Sequence, residues 1–234
     1  MREPLVIAVA QPLCVPCDVA ANALTHAATV RSAGARVVVF PELSLTGYEL
    51  DAPAITAVDA RLAPIVQACA DAGSLALAGA PVEGEGGQVH IAMLAIDGQG
   101  ASVAYRKMWL GGAEPGRFSP GTQPAVLELD GWRLGLAICK DTGIPQHASD
   151  TAALRIDAYV AGVLEAAEDA AIVEARARRI ATDHHVWVAV ASFAGSTGGG
   201  YDHAAGGSGI WTADGVALIR AGSVPGAIAR GTLT

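Results

Sequence analysis

The chain has 234 residues, 52% of them hydrophobic and 5% aromatic, with a formal net charge of −8. One domain fits that length, since single cores persist to roughly 250 residues. The acidic balance, with no basic cluster to offset it, argues against a nucleic-acid partner, whose binding needs Lys and Arg to neutralise phosphates, and no stretch approaches the ~20 apolar residues of a membrane span.

In the opening MREPLVIAVAQPLCVPC, Arg2 precedes an apolar run, but Gln11 and Pro12 interrupt it and no small-residue cleavage site follows. A soluble, cytoplasmic protein is therefore expected rather than a secreted one. Cys14, Cys17, Cys69 and Cys139 are too few and too unevenly spread for a disulfide framework, and are expected to stay reduced.

In chain order, Leu5 to Ala10 reads as a buried strand and Asp18 as the N-cap of a helix that runs to Ala33, with Gly34 closing it. Arg36 to Phe40 is a second buried strand. Asp59 to Ala72 reads as a helix capped by Gly73, followed by a strand over Leu75 to Ala80. Three Asp-Gly pairs then stand between strand-like runs, at Asp97-Gly98, Asp130-Gly131 and Asp214-Gly215. Each predicts a hairpin. Between the second and third lie a turn at Cys139, a strand near Ala158 to Val163, a helix from about Ala166 to Thr182 and a strand over Val186 to Ser192. The charges of EARARRI suit that helix's solvated face. The Gly-rich stretch over residues 195–209 reads as a mobile surface loop; it leads into a strand and lacks a Gly-Lys-Ser/Thr ending, against a phosphate-binding loop. Helices alternating with strands, with hairpins entering later, imply a mixed sheet or two sheets with helices outside.

Reactive residue types recur at strand ends. Glu42 follows VVVF by two residues, Lys107 closes SVAYR, and Cys139 closes the apolar WRLGLAI before a Gly- and Pro-bearing turn. Glu114 follows Lys107 in a Gly-rich segment. Taken singly, Glu42 suits a solvated loop, Lys107 a surface position and Cys139 a small core residue. The repeated placement points to a site where a base and a cation converge on a thiol.

At these residues the chain resembles the nitrilase superfamily, the carbon–nitrogen hydrolases. The ordered motifs are Pro41-Glu42 with Thr46-Gly47-Tyr48, then Tyr105-Arg106-Lys107, then Cys139-Lys140-Asp141. Weaker matches follow in IATDHHVWVAVASFAG and GGSGIWTADGVAL, so the likeness runs nearly end to end. The resemblance implies an α/β fold, a four-layer α-β-β-α sandwich forming a single domain over 1–234, usually paired into a homodimer. It also implies a role for each residue: Cys139 as nucleophile, Glu42 as general base, Lys107 with the Lys140 backbone N–H as stabiliser of the oxyanion, and Glu114 as the glutamate that orients the site. The reaction implied is hydrolysis of a small non-peptide C–N bond, an amide before a nitrile or carbamoyl compound. A non-catalytic binding protein on this scaffold is the alternative.

These roles suit the chemistry. A thiol of pKa ~8.5 needs a neighbouring base or positive charge, and an ammonium can meet the charge that develops on an attacked carbonyl. Tyr48, Trp109 and Lys140, in the loop after the nucleophile, are expected to line the substrate pocket. The chain departs from the family pattern after the cysteine, where Tyr-Asp-x-Arg-Phe-Pro-Glu is frequent. Here Lys140-Asp141-Thr142-Gly143-Ile144-Pro145-Gln146 omits the Arg and the final Glu.

No cofactor or metal is expected. His184 and His185 are adjacent and would point apart on a helix, and no His-Glu-x-x-His occurs. Ser208 lacks the Gly-x-Ser-x-Gly setting of a serine nucleophile. Cys14 and Cys17 have redox-pair spacing, but Asp18 follows directly and would oppose a thiolate.

Overall fold

Alternation along β1 (Leu5–Ala10) sets the layering. Leu5, Ile7 and Val9 enter a buried cluster with Trp132, Leu134 and Leu136, whereas Ala8 and Ala10 enter a second cluster with Ala23, Ala27 and Val30. Successive side chains of a strand point to opposite faces, so this strand is covered on both sides.

The computed structural model describes residues 2–234. After β1 come α1 (Val19–Ala33), β2 (Val37–Val39), α2 (Ala63–Ala72), β3 (Leu75–Glu83), β4 (Val89–Asp97), β5 (Gly100–Arg106), β6 (Ala125–Leu129), β7 (Trp132–Ile138) and α3 (Pro145–Ala153). The second half continues with β8 (Ala158–Val163), α4 (Ala170–His184), β9 (Trp187–Ser192), β10 (Ala194–Gly195), β11 (Ala204–Ala205), β12 (Gly209–Trp211), β13 (Ala217–Arg220) and β14 (Ile228–Leu233). One six-stranded sheet has the order β14-β1-β2-β3-β4-β5 and the other β13-β12-β9-β8-β7-β6, while β10 and β11 form a small separate ribbon. The central strands β1-β2-β3 and β7-β8-β9 run parallel, and the outer pairings are antiparallel. The sheets face each other across the first cluster. Helices α1 and α2 cover one outer face; α3 and α4 cover the other, where Val173, Ala177 and Ile180 meet Tyr159, Ala161 and Val188. This is the expected α-β-β-α sandwich.

All three Asp-Gly pairs stand where expected, between β4 and β5, β6 and β7, and β12 and β13. Asp18 caps α1, accepting from the Ala21 backbone N–H at 3.0 Å, and Gly34 closes it at φ 55°. Some boundaries differ. The second strand stops at Val39, because Pro41 has no N–H to extend the ladder. The helix expected from Asp59 is a turn over Ala60–Leu62 followed by α2, with Pro64 in the first turn, where its missing donor costs nothing. The helix expected from Ala166 likewise begins as a turn at Ala167–Asp169, and His185 caps α4 in the left-handed region at φ 53°.

Besides the short ribbon of β10 and β11, α3 and β14 were not expected. The face that α3 buries includes His147 and Thr151, so it carries no apolar period to read. β14 alternates small and polar residues, and its partner β1 lies at the other end of the sequence, with Leu5 opposite Leu233.

Two glycines bring the sheets to bear on one loop. A Cβ on Gly79 of β3 would lie 2.3 Å from Leu43 N and 2.6 Å from Pro41 O. A Cβ on Gly162 of β8 would lie 2.5 Å from Phe40 O and 3.1 Å from Glu42 N. The backbone that carries Glu42 is thus held between one glycine from each sheet.

Candidate active site

Lys107 directly follows β5, Cys139 directly follows β7, and Glu42 lies in the loop held by the two glycines. Lys107 Nζ is 2.6 Å from Glu42 Oε1 and 2.7 and 2.8 Å from the two oxygens of Glu114. The three residues are almost wholly buried. Glu114 is fixed further by the Gly111 N–H at 2.8 Å and by the Tyr48 hydroxyl at 3.4 Å. One oxygen of Glu42, Oε2, is buried without a partner among the described residues. A buried acceptor left open in this way has capacity for an incoming donor.

Burial pushes the Glu42 carboxyl up to about 7; the Lys107 charge opposes the rise and the Glu114 charge adds to it. Burial also works against the Lys107 charge, yet Glu42, Cys139 and Glu114 outweigh it and hold the ammonium above its usual range. The Cys139 thiol is pushed well above its ordinary value, by burial first and then by Glu42, with Lys107 opposing. At neutral pH these directions describe a thiol, a lasting cation and a carboxyl poised to exchange a proton.

The turn at Cys139 has its own scaffold. Cys139 sits at φ 44°, in the left-handed region that non-glycine residues seldom occupy. Asp141 Oδ2 accepts from the Ile138 N–H at 3.0 Å and from the Tyr105 hydroxyl at 2.8 Å, and its Oδ1 accepts from the Trp109 N–H at 2.9 Å. Asp141 therefore ties the turn holding Cys139 to the segment holding Lys107. Tyr105 lies 2.9 Å from His147 Nε2, and His147 Nδ1 lies 2.8 Å from the Tyr159 hydroxyl. The Cys139 thiol itself donates to Leu164 O at 3.4 Å. The Lys140 N–H stands at the start of a short helical turn, where backbone donors have no partner within the turn.

An open cavity of about 410 Å³ reaches Lys107, Glu114 and Cys139, and Tyr48 and Lys140 are among the residues that line it. Trp109 is not one of them. Its indole packs edge-on against His147, with centroids 5.6 Å apart, while its backbone N–H donates to Asp141. Its part in the site is made by its backbone.

Sequence reasoning missed Glu165, Arg176 and Tyr201, which also line the cavity. Glu165 follows β8 by two residues, the same strand-end placement that marked Glu42, so that signal was present. Arg176 belongs to EARARRI; instead of facing solvent alone, it pairs with Glu165, and the two side chains are 27% and 16% exposed. Tyr201 lies in the Gly-rich stretch, which is packed rather than loose. Its Gly198 N–H donates to Gly47 O at 2.7 Å, and Tyr201 meets Tyr48 edge-on at 5.5 Å. Away from the cavity, burial raises the Cys14 thiol to about 12 and also raises Cys17, with Glu49 and Asp51 adding to the latter. No helix among the described residues is long and apolar enough to cross a membrane.

The family model of carbon–nitrogen hydrolases matches residues 6–230. The chain belongs to the carbon–nitrogen hydrolase family. Among curated proteins it is similar to a hydrolase encoded in the pqqF 5′ region of Pseudomonas protegens, 36% identical over 145 residues, which are 57% of this chain. The match spans half the length of that relative. Among solved structures, a CN-hydrolase superfamily protein from Xanthomonas campestris with an arsenic adduct in its active site superposes at a TM-score of 0.89. It is 20% identical, with 99% of this chain and 91% of that one covered. An amidase variant from Nesterenkonia sp. AN1 in complex with butyramide gives a TM-score of 0.87 at 26% identity, covering 98% and 90%. Another structure of that amidase, at 25% identity and the same coverage and TM-score, has the acetamide moiety of fluoroacetamide added covalently at its active site cysteine. These likenesses place this carbon–nitrogen hydrolase family member in the nitrilase superfamily, with the two-sheet α/β fold they share.

Proposed function

We propose that this chain hydrolyses a small non-peptide C–N bond, an amide in first place, through a thioester on Cys139. The observation that carries the reading is the buried Lys107 ammonium, clamped by Glu42 and Glu114, beside a thiol and a carboxylate with one free oxygen. Glu42 takes the Cys139 proton as sulfur attacks the carbonyl carbon. The oxyanion that forms is met by Lys107 and the Lys140 N–H. Collapse breaks the C–N bond, and Glu42 returns the proton to the leaving nitrogen, which departs as ammonia or an amine. Glu42 then draws a proton from water, which attacks the thioester and releases the acid and the free thiol. Dividing the hydrolysis into two steps lowers each barrier. The butyramide complex of the Nesterenkonia amidase supports an amide over a nitrile.

The test is ammonia release across small amides and matched nitriles, with the mass of the trapped intermediate. Cys139→Ala should abolish turnover, while joint substitution of Cys14, Cys17 and Cys69 should keep it. A thioester and a thioimidate of the same acyl group differ by O against NH. Loading by nitriles but not by matched amides would replace the amidase reading with a nitrilase one.

A further inference from the structure

His147 lies fully buried on α3, and no step of the proposed reaction uses it. Its ring packs among three aromatic ones, with centroids 5.6 Å from Trp109, 5.8 Å from Tyr159 and 5.9 Å from Tyr105. Both of its nitrogens meet a hydroxyl there, Nε2 that of Tyr105 at 2.9 Å and Nδ1 that of Tyr159 at 2.8 Å. A hydroxyl can give a proton or take one, so these two contacts alone leave the tautomer open.

Asp141 closes the question. It accepts from two backbone N–H groups, Ile138 at 3.0 Å and Trp109 at 2.9 Å, which can only donate. Burial raises the Asp141 carboxyl, and these donors are among the groups that hold it down. They favour the ionised form, which has no proton to give. The one proton of the Tyr105 hydroxyl therefore goes to Asp141 Oδ2, 2.8 Å away. The hydroxyl oxygen is left to accept, so His147 carries its ring proton on Nε2, and Nδ1 accepts from Tyr159. Burial lowers the basicity of the imidazole, with Asp141 and Asp150 opposing, in keeping with a ring that holds one proton. Three hydrogen bonds thus run in one direction, from Tyr159 to His147 to Tyr105 to Asp141. Bonds aligned in this way strengthen one another.

The chain ends on the turn that holds Cys139 at φ 44° and carries the Lys140 N–H. Helix α4 covers the far side of that turn. Arg179 Nη2 lies 2.7 Å from Thr142 O, and the Arg176 guanidinium lies 3.2 Å from the Cβ that Gly143 would carry. The near side is held through Asp141. We infer that His147, as the imidazole protonated on Nε2, is a positioning residue for the Cys139 turn. It keeps the Tyr105 hydroxyl on Asp141, and so sets the directions of the sulfur and of the Lys140 N–H, while touching no reacting atom itself. The effect on turnover rests on the amidase reading; the tautomer and the reactivity of the thiol do not.

Ring-nitrogen chemical shifts of isotope-labelled histidine, assigned against His147→Leu, read the tautomer in the wild-type chain. A neutral ring protonated on Nε2 is expected. A proton on Nδ1 would reverse every bond of the chain and overturn the inference, as would an imidazolium. His147→Leu removes both nitrogens and should lower kcat about 10- to 100-fold with KM near wild type, as expected when a reacting group is displaced. Alkylation of Cys139 by iodoacetamide, followed by the mass of its peptide, should slow with it. In His147→Gln an amide N–H reaches Tyr105 from the place of Nε2, and most of both rates should return. His147→Asn offers its amide at the place of Nδ1 and should not restore them. A lower melting temperature in His147→Leu with both rates unchanged would make the residue merely structural. Should the Leu variant fail to fold, equal rates in the Gln and Asn variants would overturn the inference. Wild type that releases no ammonia from any amide would sink the amidase reading, while the tautomer and the alkylation rates would still decide for or against His147.

Discussion

Lys107 Nζ stands 2.6 Å from Glu42 Oε1, with 1% and 0% of the two side chains exposed. Removing one partner of a buried pair leaves a charge without compensation, at about 3–5 kcal/mol. Lys107→Met is therefore expected to fold with a lower urea midpoint, and to lose about 10²–10³ in kcat as one oxyanion donor disappears. Denaturation curves and ammonia-release kinetics check both. A change confined to KM would restrict Lys107 to substrate binding.

Glu42 gives the pH dependence. As a base it must be ionised, so kcat/KM is expected to rise with pH through about 7. Stability runs the other way. The folded pKa lies above the ordinary 4.5, so this group favours the folded state most below 4.5, and that contribution is lost as pH rises through about 7. The Glu114 charge helps to raise Glu42. Glu114→Gln should therefore move the rising limb to lower pH, which a pH–rate profile reads directly; an unmoved limb would assign it to another group.

The two interlayer glycines allow a purely steric test. Gly79→Ala puts a methyl against the backbone of Pro41 to Leu43, and Gly162→Ala puts one against Phe40 to Glu42. Overpacking of this kind costs about 1–3 kcal/mol. Each variant should melt earlier and lose kcat through displacement of Glu42. A variant that melts earlier with normal kcat would show that the loop adjusts without moving the carboxylate.

Tyr105→Phe removes the hydroxyl shared by Asp141 and His147. Unpairing buried partners costs about 1–3 kcal/mol. The variant should be less stable, and its kcat should fall because Asp141 ties the Lys107 segment to the Cys139 turn. Thermal melts and steady-state kinetics distinguish this from a purely structural effect, which would spare kcat.

Much of this architecture was legible because it is local. The apolar runs of the buried strands, the three Asp-Gly turns and the Asp18 and Gly34 caps each depend on neighbours in sequence, and each stands close to where the pattern placed it. Glu42, Lys107 and Cys139 could be singled out because strand ends bring reactive groups to one rim of the sheets. What stayed hidden depends on distant partners. α3 is buried through hydrogen-bonded polar groups, β14 finds β1 across the whole chain, and Arg176 looks like a solvated helix residue until Gly143 is set beside it. The indole of Trp109 was expected in the cavity, and instead packs on His147, a partner on the unread helix α3.

Because the loop bearing Glu42 is gripped by Gly79 from one sheet and Gly162 from the other, the thickness of the sandwich sets where that carboxylate stands. Packed interiors compress little and transmit strain. A change in layer separation, imposed by hydrostatic pressure, by warming short of the melt or by a bulkier residue deep between the sheets, is passed to the Glu42 loop through these two contacts. With Glu42 as the proposed base, catalysis is expected to act as a gauge of interlayer spacing, and to falter while circular dichroism still reports an intact fold.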